Sequence, residues 1–514
     1  MSALLAERQF DDRSQANVAA RSGPRWLVPV VAITVVLVRL PFLGAPLGLD
    51  ESGYLTVAHQ WHPGGTSLYG DLWVDRPPLL LMIYQLADAL GGGVALRVIG
   101  IGAAVAVTLL VQRAAARLAG SRAGVFAALL AGALLVSPLA GGEEVNGELL
   151  AAPFVAAAVV CLVEALRADA RRVVIWAGLA GATGAAAVLV KQNMLDVAVL
   201  SCALLLPLSG GIGRRKVAPL ALGLAVGGVV STVVVATWTV AHGTSLSGVF
   251  YAMYPFRLEA ARVLAATPDP AAQRRGLHLG VAALQSGLAI VVAWLVVALL
   301  REVVHARRQR RDLGLRHRVL IALAITIGYD VLSICSGGSY WSHYLIQLVV
   351  PVAVAGGLTL SRWPSRGRLL VAFTVASAAI SVITGITHPP GPHGQTLGAA
   401  IGAASHPRDT IITIWGHSDV THASGLRTPY PYLWSLPTQT LDPDLRLLTA
   451  TLDSPRRPTW FVAWSAVTHP GLDTSRLSAA LRENYDEVEV SRGSTVFLRQ
   501  GVKRPVPAAG GRPS

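Results

Sequence analysis

The sequence predicts a polytopic α-helical membrane protein, with about eleven transmembrane helices and a small extracytoplasmic α/β domain at its C-terminal end. Hydrophobic residues make up 53% of the 514 residues and charged residues only 14%, whereas soluble globular proteins carry about 25% charged residues. Apolar runs of about 17–24 residues recur along the chain, and each is long enough to cross a bilayer. Basic residues cluster in every second gap between these runs, as the positive-inside rule describes for cytoplasmic loops.

The apolar runs define the candidate spans and their orientation. In chain order the spans are 26–43, 94–112, 123–140, 149–166, 173–190, 194–208, 217–240, 279–300, 319–335, 345–360 and 369–386. Residues 1–25 are polar and basic and the first run has no cleavage site, so we expect a cytoplasmic N-terminal segment followed by a retained anchor. An odd number of spans places everything after residue 387 outside the cytoplasm. Because the cytoplasmic loops account for the net charge of +14, we expect no nucleic-acid partner.

Two long gaps and the C-terminal region fall on the predicted outer side. The first gap, about residues 44–93, ends in the apolar stretch Leu79–Leu90, which is too short to span and is expected at the membrane interface. The second gap covers about residues 242–278. Residues 388–502 are predicted to form a small α/β domain, and residues 503–514, rich in Pro and Gly, a disordered tail. The predicted elements of the domain are strands at 410–416, 459–464, 487–490 and 494–499 and helices at 442–452 and 473–484.

Two adjacent acids, Asp50 and Glu51, stand just beyond the first span. Carboxylates at a membrane boundary are costly to desolvate, so they tend to be solvated or functional. Adjacent helical residues point about 100° apart, so at most one of the pair faces a cleft. One interpretation is that Asp50 caps a helix that begins at Glu51. The other is that the acid facing the cleft is a general base that accepts a proton from a hydroxyl nucleophile.

The first outer gap also contains the run Asp75-Arg76-Pro77-Pro78. Paired prolines suit the first turn of a helix. Arg76 stays charged, and its guanidinium matches phosphate oxygens in a bidentate way; the alternative is an Asp75–Arg76 surface pair that orients the loop. Lys191, one of three lysines in the chain, lies at the end of the fifth predicted span, where it either binds an anion or snorkels to the interface.

A few further residues are candidates for lining a cleft on the outer side. Glu143, Glu144 and Glu148 follow the third predicted span, and such carboxylates either bind a divalent cation or are solvated. His343 and Tyr344 lie at the mouth of a later span, where a cleft-lining histidine and an aromatic belt anchor are the alternatives. The sequence predicts no metal-ligand set and no certain cofactor, and a divalent cation is left open.

The spacing of the acidic pair and the Pro-Pro run is more specific than either part. Asp50-Glu51 follow the first span, and Asp75-Arg76-Pro77-Pro78-Leu79 comes about 25 residues later. In these residues the sequence resembles the GT-C glycosyltransferases that use polyprenyl-phosphate sugars, a group that includes protein O-mannosyltransferases and lipid A aminoarabinose transferases. The C-terminal domain is similar to that of many actinobacterial members. Three further stretches fit the resemblance: Glu143–Glu148, Lys191-Gln192-Asn193 and Ser342-His343-Tyr344.

The resemblance implies a GT-C-like catalytic domain over residues 26–387. Such an enzyme moves a sugar from a polyprenyl-phosphate-linked donor in the bilayer to a hydroxyl of a protein, lipid or glycan acceptor, with inversion at the anomeric carbon. The resemblance makes Asp50 the general base and Glu51 the second acid of the pair. It also implies that Arg76, where relatives often have Lys or His, and Lys191 bind the donor phosphate, with Asp75, Glu144, Glu148, His343 and Tyr344 near the cleft.

Two other function classes stay open. A secondary transporter would show inverted repeats and ionisable residues within its spans, whereas the notable charges here are expected at span ends. A non-catalytic membrane protein would use the extracytoplasmic domain as a binding module. In that case Asp50 and Arg76 would be replaceable without a biochemical effect.

Overall fold

The computed structural model of the chain describes residues 24, 26–205, 214–266, 270–309, 314–389, 391–464, 466–491 and 493–507. Almost all of the predicted N-terminal segment and residues 508–514 of the predicted tail lie outside these ranges. Within them, seven helices are long and apolar enough to cross a membrane, and a bent pair makes up to eight. The seven are Gly93–Ala119, Gly147–Arg167, Arg171–Val190, Arg215–Ala241, Leu315–Ser336, Ser342–Leu360 and Pro364–Thr387.

Shorter apolar helices complete the set of predicted spans. Leu27–Phe42, Ser121–Val136 and Asp196–Leu205 correspond to predicted spans, and Pro78–Ala89 corresponds to the stretch predicted at the membrane interface. Every predicted span coincides with a long helix, with the bent pair or with one of these shorter helices, and Pro78–Ala89 is the helix predicted after the paired prolines. The chain is therefore a mostly helical, multi-pass membrane protein.

The predicted span 279–300 is not one continuous helix. Helices Pro270–Gln285 and Leu288–Glu302 meet at an angle of 67°. Gly287 lies at the break with a φ of 82°, a left-handed conformation that a right-handed helix cannot contain and that glycine adopts readily. A Cβ at Gly287 would lie 2.6 Å from Oγ1 of Thr374. The apolar run hid this bend because hydropathy does not register backbone conformation.

The chain divides into two compact units, each built from segments that are separate in the sequence. We call the first the helical unit; it consists of Met1–Phe42, Gly100–Val233 and Ala272–His388. We call the second the mixed unit; it consists of Leu43–Ile99, Val234–Ala271 and Pro389–Ser514. The mixed unit thus combines most of both long gaps with the C-terminal region.

The centre of the helical unit is the helix Val349–Leu360, in which every residue is buried. It packs against Ser121–Val136, Leu288–Gln309 and Leu315–Ser336. The helix continues from the 3₁₀ segment Ser342–Leu348. The segment that carries His343 and Tyr344 is therefore continuous with a helix whose residues are all buried.

The C-terminal part of the mixed unit is built on a four-stranded sheet. Its strands are β1 (Ile411–Ile414), β2 (Trp460–Trp464), β3 (Tyr485–Ser491) and β4 (Ser494–Arg499). The spatial order is β1-β2-β4-β3, with β1 and β2 parallel and the other pairs antiparallel. The four strands lie within a few residues of their predicted positions, so the predicted sheet region is confirmed.

Side chains alternate between the two faces of this sheet, as the two-residue period of a strand requires. Ile412 and Phe461 belong to one buried cluster, whereas Ile411 and Trp460 belong to the cluster on the other face. Short helices supply further members of both clusters. The helices of this part of the chain are His393–Ala403, Ser418–Ser424, Ser435–Leu441, Arg446–Asp453 and Ser475–Asn484.

The two long gaps are folded into the same unit. The first contributes helices Leu49–His59 and Pro78–Ala89, and the second contributes Leu246–Met253 and Pro255–Ala266. The backbone N–H of Trp73 donates to the carbonyl of Pro431 at 3.0 Å. The Trp73 ring packs edge-on against Phe256, with centroids 4.6 Å apart. These contacts hold Asp50, Asp75 and Arg76 on a folded support rather than on isolated loops.

Candidate active site

The helix Leu49–His59, here called the acidic helix, begins in a different way from the one the sequence predicts. Oε2 of Glu51 accepts the backbone N–H of Gly48 at 2.8 Å and lies 2.6 Å from Nη2 of Arg97. The Glu51 side chain is 1% exposed. Glu51 therefore anchors the start of the helix, and the interpretation that Asp50 caps a helix beginning at Glu51 is wrong.

Asp50 points in another direction from Glu51. It is half-buried, and its Oδ1 accepts a hydrogen bond from Nε1 of Trp434 at 3.0 Å. Glu51 faces the interior and Arg97, so the two acids point in different directions, and which of them faces a cleft stays a prediction. The indole orients the Asp50 carboxylate without neutralising its charge.

Arg76 lies beside the same face of the acidic helix. Its Nε donates to the hydroxyl of Tyr54 at 2.8 Å, and its Nη1 donates to Oδ1 of Asp75 at 2.8 Å. Tyr54 follows Asp50 by four residues, a spacing that places two side chains on one face of a helix. The Trp434 ring lies 5.2 Å from the Tyr54 ring. Tyr54 and Trp434 thus connect the Asp50 carboxylate with the Arg76 guanidinium.

Asp75 lies between two cations. Its second oxygen, Oδ2, lies 3.1 Å from Nη1 of Arg257. The Asp75 side chain is 9% exposed, Arg76 is 18% exposed and Arg257 is 39% exposed. One carboxylate and two guanidiniums leave this group with a net positive charge. Burial raises the pKa of Tyr54 well above its ordinary value, against an opposing effect of Arg76, so its hydroxyl stays protonated beside Arg76.

A single glycine allows Trp434 to reach Asp50. A Cβ on Gly53 would collide with Cζ2 of Trp434. We expect Gly53→Ala to displace the indole, break its hydrogen bond to Asp50 and lower the free energy of unfolding by about 1–3 kcal/mol, as overpacking does. Thermal unfolding in detergent measures the loss. Gly102→Ala is the matched control, because a Cβ there meets nothing within 4 Å; an equal loss in both variants would contradict the prediction.

A partly buried histidine joins the acidic helix to the helix Ser418–Ser424. Nδ1 of His422 lies 3.3 Å from Oγ1 of Thr56. Burial lowers the pKa of His422, Asp88 opposes this effect and His59 adds to it. The folded protein therefore favours the neutral imidazole.

We expect acid to loosen this junction. The His422 contribution to stability is complete above the ordinary histidine pKa of about 6.5 and is lost as the pH falls through that value towards the lower folded-state pKa. The unfolding temperature should therefore fall between about pH 7 and about pH 5, and His422→Gln should reduce this pH dependence. If His422→Gln keeps the full pH dependence of the unfolding temperature, groups other than His422 cause that dependence.

A second polar cluster lies in the helical unit. Lys191 and Glu148 form a buried ion pair, so Lys191 does not snorkel to the interface. Nε2 of His343 lies 4.0 Å from Oε2 of Glu148, and the Lys191 ammonium lies 5.0 Å from the centre of the Tyr344 ring. The carbonyl of Glu144 accepts from Nη2 of Arg39 at 3.3 Å. The predicted site residues thus form two clusters, with Asp50, Glu51, Asp75 and Arg76 in the mixed unit and Glu144, Glu148, Lys191, His343 and Tyr344 in the helical unit.

The carboxylates of both clusters already have donor partners. Asp75 is paired with arginines, Glu51 with Arg97 and Glu148 with Lys191. In the described ranges, no group of three or more His, Cys, Asp or Glu side chains is arranged to hold a metal ion. Each of these three carboxylates is therefore engaged by a cationic side chain of the protein.

Several residues of these clusters were missed by sequence reasoning. Tyr54 had a usable signal, because it lies one helical turn after Asp50. Arg97 and Asp330 also had one, since each is a charged residue inside an apolar run. Asp330 lies within the helix Leu315–Ser336 and is fully buried, so the expectation that the notable charges lie at span ends is wrong. Trp434 had no local signal, because it reaches Asp50 across 384 residues of sequence.

The architecture is similar to that of known membrane proteins. No protein-family model and no curated protein sequence matches the chain. Among solved structures, ArnT from Cupriavidus metallidurans bound to undecaprenyl phosphate has a TM-score of 0.61 at 15% identity, over 95% of this chain and 99% of ArnT. AglB, an oligosaccharyltransferase from Archaeoglobus fulgidus in complex with an inhibitory peptide and a dolichol-phosphate, has a TM-score of 0.52 at 13% identity, over 93% and 74%. The arabinofuranosyltransferase AftD from Mycobacteria has a TM-score of 0.51 at 14% identity, over 93% and 42%.

Proposed function

We propose that this chain, which has the fold of the GT-C glycosyltransferases, transfers a sugar from a polyprenyl-phosphate donor to an acceptor hydroxyl. The observation that carries the proposal is the pairing of an accessible carboxylate, Asp50, with a fixed guanidinium, Arg76, through Tyr54 on one face of the acidic helix. A base and an anion-binding cation are the two groups that such a transfer needs.

The chemistry follows from these two groups. The acceptor hydroxyl gives its proton to Asp50 as its oxygen attacks the anomeric carbon. The bond from that carbon to the phosphate oxygen breaks, and attack from the opposite face inverts the carbon. Negative charge grows on the departing polyprenyl phosphate, where Arg76 stabilises it. Glu51 holds the helix that carries Asp50 and takes no part in the proton transfer.

Three observations support a lipid-linked donor and an outer location. Two of the similar structures contain undecaprenyl phosphate or a dolichol-phosphate. The acidic helix follows the first apolar helix, Leu27–Phe42, directly, so Asp50 lies near a membrane boundary. The alternation of basic loops in the sequence assigns that boundary, together with the C-terminal domain, to the extracytoplasmic side. The acceptor class, whether protein, lipid or glycan, stays open.

The cluster of the helical unit has a less direct role. The pair with Glu148 holds the Lys191 ammonium in place, and the role of Lys191 as a second ligand of the donor phosphate stays a prediction. His343, Tyr344 and Glu144 stay predicted cleft residues. A divalent-cation requirement also stays a prediction.

The test is release of free polyprenyl phosphate by purified protein in detergent. The protein is mixed with a panel of radiolabelled polyprenyl-phosphate sugars, with membrane extract as the source of acceptor. Release of polyprenyl phosphate from one donor, and loss of this release in Asp50→Asn, would support a glycosyltransferase and identify the sugar. The same assay with a chelator tests whether a divalent cation is required. No binding of any such donor would contradict the proposal.

The buried Asp330 favours a second candidate, a transporter, because ionisable residues within spans often mark transport pathways. A transporter would bind the lipid-linked sugar without breaking its glycosidic bond. Donor binding without release of polyprenyl phosphate, even with acceptor present, would therefore favour transport over transfer.

A further inference from the structure

Two buried acids lie opposite each other inside the helical unit. Asp330 lies within the helix Leu315–Ser336 and is 0% exposed, and Asp196 begins the helix Asp196–Leu205 and is 1% exposed. The two helices pack against each other. Their carboxyl groups face each other closely enough for a hydrogen bond between them.

Two ionised carboxylates are not stable in such a place. Each would lose its hydration in an apolar interior, at several kcal/mol per ion, and the two charges would repel each other. Among the described side chains, no cation acts on either carboxyl, and no side chain other than Asp330 offers Asp196 a hydrogen bond. One proton removes both problems, because a protonated carboxyl donates to the remaining carboxylate.

The pair is connected to the segment that carries His343 and Tyr344. Nε2 of Gln347 donates to Oδ1 of Asp330 at 2.9 Å. Gln347 belongs to the same 3₁₀ segment, Ser342–Leu348, as His343 and Tyr344. A side-chain amide therefore ties the buried acids to the turn that faces Glu148.

The same amide continues to the segment that carries Lys191. Oε1 of Gln347 accepts from Nδ2 of Asn193 at 3.0 Å, and Asn193 is two residues after Lys191. The hydroxyl of Tyr329 donates to the carbonyl of Asn193 at 2.7 Å. Tyr329 is also a titratable side chain that interacts with both acids. The neighbouring elements also carry the charged groups of the second cluster, Glu148, Lys191 and His343.

We propose that Asp196 and Asp330 share one proton and act as a positioning pair, which holds the Lys191 and His343 segments in place through Gln347 and Asn193. The catalytic consequence rests on the proposed function, because it assumes that the Lys191 cluster contacts the donor. The shared proton does not rest on it. Neither acid touches the donor; both act through the two segments.

The shared proton is tested by stability, without any activity measurement. Loss of the shared proton should lower the thermal stability of wild-type protein in detergent as the pH rises from about 5 to about 9, in opposition to the His422 effect, which raises stability between about pH 5 and about pH 7. In Asp330→Asn or Asp196→Asn, an amide N–H donates to the remaining carboxylate without a proton, so this loss should be much smaller. The same pH profile in wild type and both variants would overturn the proposal.

An infrared measurement covers the case in which a variant folds poorly. A protonated carboxyl has a carbonyl stretch that ionised carboxylates lack. The wild-type spectrum at neutral pH should contain one such band, and hydrogen–deuterium exchange should leave it in place because the pair is buried. Absence of the band in folded wild-type protein would overturn the shared proton.

The positioning role is tested with Gln347→Leu, which cuts the connection and keeps both acids. We expect its KM for the donor to rise by about 10-fold or more, because small displacements of binding groups reduce efficiency strongly, while the pH profile of unfolding stays that of wild type. An unchanged KM would overturn positioning. If wild-type protein has no transferase activity at all, the proposed function fails, and the pH and infrared results still decide the shared proton.

Discussion

Asp50→Asn is expected to lower the rate of sugar transfer by about 100- to 10,000-fold, the range over which a positioned acid or base contributes. Asparagine has the shape of aspartate but cannot accept a proton at neutral pH. Its amide oxygen can still accept the indole N–H of Trp434, which bonds Asp50 at 3.0 Å, so folding should be retained. The measurement is kcat with the preferred donor and a saturating acceptor.

Asp88→Asn is the matched control for this variant. Asp88 belongs to the mixed unit, pairs at 2.9 Å with His59 at the C-terminal end of the acidic helix and is 32% exposed, so its loss removes a carboxylate away from Asp50 and Tyr54. We expect wild-type kcat. Full activity in Asp50→Asn would remove Asp50 as the base and leave the chemistry to another group.

Arg76→Ala is expected to raise the donor KM by about 10- to 100-fold, the equivalent of losing one charged hydrogen-bonding partner at 1.5–3 kcal/mol. The variant should fold, because Arg257 still lies 3.1 Å from the Asp75 carboxylate. Arg76→Lys should restore part of the affinity, because it keeps the charge but loses the bidentate geometry. Titration of the donor at fixed acceptor measures both effects.

Arg262→Ala controls for the general loss of positive charge. Arg262 is exposed and lies on the same helix as Arg257, and exposed charges are screened by salt. We expect its donor KM to be close to that of wild type. A donor KM in Arg76→Ala that equals that of Arg262→Ala would remove Arg76 as the phosphate ligand.

The sequence predicts the elements of this fold well, because hydropathy alone is enough to locate apolar helices and short β-branched strands. Hydropathy does not predict the bend at Gly287, because the bend depends on a φ of 82° and on packing against Thr374. The role of Glu51 was also out of reach. Its partner, Arg97, is 46 residues away, and nothing in the local pattern distinguishes Glu51 from Asp50 as the acid that turns inward.

The sequence also predicts part of the candidate site. Asp50, Asp75 and Arg76 were identified because they are close in sequence and match a known spacing. Asp196 and Asp330 each stand alone in an apolar run, and only the fold places one opposite the other. The local sequence around each acid does not show that it pairs with an acid on another helix.

The order in which the chain is made gives the Asp50–Trp434 hydrogen bond a further meaning. The ribosome delivers Asp50 directly after the first apolar helix, but Trp434 follows 384 residues later, after the last helix that is long enough to span. During synthesis the carboxylate is therefore present long before the indole that orients it. Nascent chains that stop before Trp434 contain Asp50 but lack the indole that orients its carboxylate, so this hydrogen bond forms only after the helix Pro364–Thr387 has been made.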